Sequence, residues 1–136
     1  MKQGRIVQAY RVIEKLAGQD FPLRDSYKLF RMKKQLQPVR DFRIEEEKKL
    51  FEKHPITGQD GNMLNFATQE DAQAVNKTIE ELNGMEADVT VKPITLHLTD
   101  AVTIAPAEIE LLEGFVEFAD DGEPLIIAEQ FTPAEE

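Results

Sequence analysis

The chain contains no cysteine and no tryptophan, and only two histidines, His54 and His97. Without cysteine there is no disulfide, no thiolate zinc site and no cysteine nucleophile. The same absence suits a reducing compartment. The one serine, Ser26, has no glycine-elbow context and reads as a local cap or a solvated side chain. No apolar run approaches the roughly 18 residues of a membrane span. The N-terminal MKQGRIVQAYRVIEKLAG alternates charge with apolar residues where a signal peptide carries an apolar stretch. The expectation is a folded protein of the cytosol. HExxH, EF-hand, Walker and dinucleotide-glycine patterns are missing. GQDGN lacks the acidic spacing and distal glutamate of a calcium loop, and reads as a tight turn. Two distant histidines make no metal site. Glu45, Glu46 and Glu47 point around a helix, Glu108 and Glu110 do not share a face, and Asp120-Asp121 falls in a turn. No acid–base pair can be argued from such crowding. The residues therefore predict a non-enzymatic protein with no cofactor and no metal.

What is present is charge, unevenly placed. The net charge is −10. Residues 1–54 hold 14 of the 16 Lys and Arg and 8 of the 26 Asp and Glu, a balance of +6, and residues 55–136 carry −16. Asymmetry between halves bears on partners. The simplest reading is that the halves neutralise each other, within one chain or between subunits. The chain of 136 residues is one domain's worth, with a basic helical half (1–54) and an acidic hairpin–helix–strand half (55–136).

Periodicity supplies the elements. Ile6, Tyr10, Ile13 and Leu16 recur at intervals of three and four, one face of a helix over 3–17. A second helix starts near Leu23 or Arg24 and runs to about Lys53. Before Pro38 it carries two apolar stripes: Leu23, Tyr27 and Phe30 on one, Leu29, Met32 and Leu36 on the other. Two stripes predict two neighbours, the first helix and the helix over 69–83, with Tyr27 and Phe30 in the core. Pro38 predicts a kink or two helices end to end. His54-Pro55 ends the helix, and Asp60-Gly61 predicts the turn of a small hairpin. Thr68 with Asp71 resembles a capping box for a helix whose Ala72, Val75, Ile79 and Leu82 form one narrow face. Residues 88–98 predict a strand with a phase change at Pro93, and His97 lies on its polar phase. A short helix opens at Pro106. Two strands around Asp121-Gly122 complete the reading. The class is α+β: an antiparallel helical pair with a hairpin at its tip, plus a small, mostly antiparallel sheet.

The basic stretch is the sharpest candidate for function. Arg24, Lys28, Arg31, Lys34 and Arg40 can stripe one side of the long helix, with Phe42 beside them, and together they form the candidate partner-binding set. A phosphate-binding surface needs such a stripe. No zinc module or recognition-helix turn accompanies it, and the acidic half repels a polyanion. A protein partner is therefore preferred to nucleic acid, with no membrane role.

The segments SYKLFRMKKQLQPVRDFRIEEEKKL, DGN, NKTIEELNGMEADVTVKPITL and IAPAEIELLEGFVEF, in that order, resemble a family of small, mostly uncharacterised phage and prophage proteins. That pattern has a basic helix, a proline followed by an acidic Phe-bearing helix, a polar Gly turn, an "EEL" helix, a "PI" strand and a "PAE" helix. The resemblance spans about residues 20–118. It departs at Ala105, where a capping Ser or Thr is expected, and in the added 119–136 segment. Its motifs are structural, so it brings no catalytic residues. It implies a structural or assembly component in the bacterial host's cytoplasm or in the virion: an adaptor, assembly chaperone or minor virion protein. Such a protein would associate with itself, as a homo-oligomer, or dock on another phage protein. The alternative is an acidic regulator or inhibitor of a nucleic-acid-handling protein.

Overall fold

The computed structural model describes residues 1–119. Its described residues divide into two compact units, Met1–Tyr10 with Gln35–Val89, and Arg11–Lys34 with residues 90–119. Helices α1 (Gln3–Ala17) and α2 (Leu23–Lys53) each contribute to both. The class is α+β as expected.

In the first unit the second part of α2 pairs with α3 (Gln69–Gly84). Arg43 Nη1 donates to Asn83 Oδ1 at 2.6 Å, and His54 Nδ1 lies 2.7 Å from Asp71 Oδ1. Advancing along α2 thus means retreating along α3, which makes the pair antiparallel. Leu50, Val75 and Leu82 are buried here with Ile6, Ala9 and Tyr10 of α1. Between α2 and α3 lies the hairpin of β1 (Ile56–Asp60) and β2 (Met63–Phe66), antiparallel, with a register shift between Ile56 and Gly58. Gly61 sits at φ +59°, and among the described residues only glycines have positive φ. A glycine at positive φ followed by a residue at negative φ is the sign pattern of a type II′ turn, whose twist suits a two-residue hairpin. Thr68 caps α3: its Oγ1 accepts from the Asp71 backbone N–H at 3.1 Å and donates to Asp71 Oδ2 at 3.0 Å. The chain enters α1 with Gln3 N donating to the Met85 carbonyl at 2.8 Å and Ala87 N to the Met1 carbonyl at 2.9 Å. Close approach follows, since a Cβ on Gly4 would stand 2.8 Å from Asn83 Cβ.

α2 is one unbroken helix through Pro38, not two end to end. Pro38 is exposed, so its ring meets water, and the bond it forgoes is the one its own missing N–H would give to the Lys34 carbonyl.

In the second unit the buried apolar residues are Val12, Ile13 and Leu16 of α1, Leu29 and Met32 of α2, and Phe21, Leu96, Leu112, Phe115 and Val116. Strand β3 (Ile94–His97) pairs with β4 (Val116–Ala119), and the pairing is parallel. A mostly antiparallel sheet was expected; that holds for the hairpin and fails here. The reason is the connection, because α4 (Pro106–Leu111) lies between the two strands and supplies the long link that parallel neighbours require. The expected strand over 88–98 is shortened to its last part. Pro93 has no N–H to give a ladder, and pairing begins at the next residue, with Ile94 N donating to the Phe115 carbonyl at 2.9 Å. The second strand expected after Asp121-Gly122 lies outside the described residues.

Candidate functional site: an aromatic and cationic ridge on the long helix

The orientation of α2 in the second unit is set from its inner face. Asp25, in the first turn, is 1% exposed. It accepts from the His97 backbone N–H at 2.7 Å and stands 3.1 Å from His97 Nδ1. A carboxylate only accepts, so Nδ1 is the ring nitrogen that donates to it. Leu29 and Met32 follow Asp25 inward, at 0% and 3% exposure. Lys28 reaches sideways to the Thr95 carbonyl at 3.1 Å. At 100° per residue, the face roughly 180° away belongs to Leu23, Tyr27, Phe30 and Lys34.

That face is turned to solvent. Leu23 is 87% exposed, Tyr27 54% and Phe30 52%, which corrects the expectation that this stripe is core. The buried residues of this unit include Leu29 and Met32 of α2 and none of Leu23, Tyr27 and Phe30, so the stripe at 23–30 is turned away from that core. Its rings organise instead among themselves. Tyr27 and Phe30 stack with centroids 6.4 Å apart at 23°, Arg31 lies 6.0 Å from the Tyr27 centroid, and Lys34 lies 5.8 Å from that of Phe30. Cation–π pairing holds both charges over the rings. The result is a ridge, apolar along its crest and cationic along its flank.

The six candidate residues are not one stripe. Arg24, Lys28, Arg31 and Lys34 lie in the second unit, Arg40 and Phe42 in the first. Arg24 is exposed, and Lys28 spends its ammonium on Thr95. Arg31 and Lys34 flank the ridge. Arg40 lies 4.8 Å from the Tyr10 ring centroid and donates from Nε to Asp41 Oδ1 at 3.0 Å, both contacts within its own unit. Phe42 is 39% exposed.

Two carboxylates outside the ridge have depressed pKa values. Asp71 is lowered from 3.8, first by the hydrogen bond from His54 and then by that from Thr68. Glu108 is lowered from 4.5, first by the Ala105 backbone N–H and then by Lys15, whose Nζ meets both its oxygens at 2.9 and 3.0 Å. Glu108 thus supplies the cap that Ala105 has no side chain to provide. Both carboxylates tie the start of a helix to another element.

Among the described residues no three His, Asp or Glu side chains gather as metal ligands, and no helix is long and apolar enough to cross a membrane. Comparison with protein-family models, with curated proteins and with solved structures finds no match to this chain.

Proposed function

We propose that this chain is a non-enzymatic interaction protein, a small structural or assembly component of phage or prophage origin that works by self-association or by docking on another protein. The observation that carries the reading is the solvent-facing Leu23–Tyr27–Phe30 stripe on a helix whose opposite face is anchored by buried Asp25. Three large apolar side chains in a row on a rigid helix hold contact area ready for a partner, and aromatic and Arg side chains are the residues that dominate protein interfaces. The charge division between the two ends of the chain supports association between complementary surfaces. The resemblance to small phage proteins supplies the context. Light scattering of the full chain against concentration, at low and at high salt, tests the reading. A mass that rises with concentration and falls with salt is expected. A monomer that stays monomeric, and that captures nothing from a lysate of phage-infected host cells, counts against it.

A further inference from the structure

The ridge has two chemistries side by side, and a partner must answer both. Leu23, Tyr27 and Phe30 ask for apolar side chains, and Arg31 and Lys34 ask for carboxylates or phosphates. A polynucleotide answers the second demand and stacks on free ring faces. Here Arg31 and Lys34 already sit over those rings, and the most exposed member, Leu23, has no aromatic face to offer a base. The chain as a whole, at −10, also repels a polyanion. An acidic peptide with aliphatic and aromatic side chains meets both demands. Its apolar groups cover Leu23 and the ring edges, and its carboxylates reach the cations from the side.

The sequence of this chain contains such a peptide. Residues 120–131, DDGEPLIIAEQF, hold four acidic residues and no basic one. Leu125, Ile126, Ile127 and Phe131 stand among them. The ridge helix over Leu23–Lys34 carries five basic residues, Arg24, Lys28, Arg31, Lys33 and Lys34, and a single acid, Asp25, which is buried against His97. We propose that the ridge is the docking site for residues 120–131 of a second copy of this chain. The inference rests on the interaction reading above and names the partner. Such a contact joins two different surfaces, so it is heterologous. It adds copies head to tail and closes into a ring or extends, according to the angle between copies. Salt weakens it through the carboxylate–cation pairs, and the apolar crest sets its persistence.

The experiment uses the full chain, with light scattering at low salt as the readout. Tyr27→Ala/Phe30→Ala and Arg31→Glu/Lys34→Glu are the two ridge variants. All four side chains are surface groups, so both variants should keep the wild-type circular dichroism and a cooperative thermal melt. Each variant should hold monomer mass at concentrations where the wild type associates, an affinity loss of about tenfold or more. Excess free peptide DDGEPLIIAEQF should return the wild type to monomer. A chain carrying Asp121→Lys, Glu123→Lys and Glu129→Lys should also fail to associate, and mixing it with the Arg31→Glu/Lys34→Glu chain should restore association. That restoration can only come from contact between copies.

Association that survives in both ridge variants overturns the inference and leaves the interaction reading standing on another surface. A wild type that is monomeric at every concentration overturns the second copy as partner. If labelled oligo(dT) then binds the wild type and not the ridge variants, the ridge belongs to nucleic acid.

Discussion

Replacing Asp25 by alanine should be among the most costly single substitutions in the second unit. Asp25 is 1% exposed and accepts from two donors of His97, the backbone N–H at 2.7 Å and Nδ1 at 3.1 Å. Each bond to a charged acceptor is worth about 1.5–3 kcal/mol. Removing the carboxylate also strands the His97 N–H, and it takes a favourable negative charge from the first turn of α2, worth about 0.3–1 kcal/mol. The two bonds share one acceptor and are not additive, so the expected loss is about 3–5 kcal/mol. That is a large part of the roughly 5–15 kcal/mol by which a domain is folded. With a urea slope near 2 kcal/mol/M, the unfolding midpoint followed by far-UV circular dichroism should fall by about 2 M. Asp25→Asn keeps one oxygen for the His97 N–H and should lose about 1–2 kcal/mol. An alanine variant within about 0.5 kcal/mol of wild type, the range of an ordinary surface change, would refute the claim that this carboxylate anchors the helix.

Gly4→Ala should destabilise by about 1–3 kcal/mol, since its Cβ would stand 2.8 Å from Asn83 Cβ; thermal melting reads it. Pro38→Ala should keep the fold and stabilise it by about 1–3 kcal/mol, because it restores a helical hydrogen bond at an exposed position; urea unfolding measures this, and an unfolded variant would contradict it. Asp71 has a folded pKa below its ordinary 3.8, so its contribution is complete above that value and disappears as pH falls through the lower, folded one. Asp71→Asn should therefore be less stable than wild type at neutral pH and converge with it in acid, as melting against pH will show. Tyr27→Ala and Phe30→Ala should each cost less than about 1 kcal/mol of stability, as exposed positions do.

The sequence was most legible where one face of an element meets one neighbour. The α1 face, the Thr68 cap of α3 and the Asp60-Gly61 turn all follow from local spacing and local chemistry, and all are present. Parallel pairing of β3 with β4 was not legible, because strand direction depends on where α4 returns the chain. The long helix misleads for a related reason. Its two apolar stripes are equally strong in sequence, and nothing local says which of them the rest of the second unit covers. The ridge was thus seen as a set of residues and misassigned as core, while Arg31 and Lys34 were found as candidates on charge alone. Asp25 and His97 were missed as a pair, 72 residues apart. An acidic residue in a helix's first turn and a histidine on a strand's polar phase each have an ordinary local explanation.

Hydroxyl-radical footprinting of Tyr27 and Phe30 tests the central claim most directly, with Met63, 72% exposed on the hairpin, as the internal reference. On raising the concentration of the full chain at low salt, the two rings should become protected relative to Met63. Salt should return them to full reactivity. Rings that react equally at every concentration and salt would show that the ridge is not where this protein meets its partner copy.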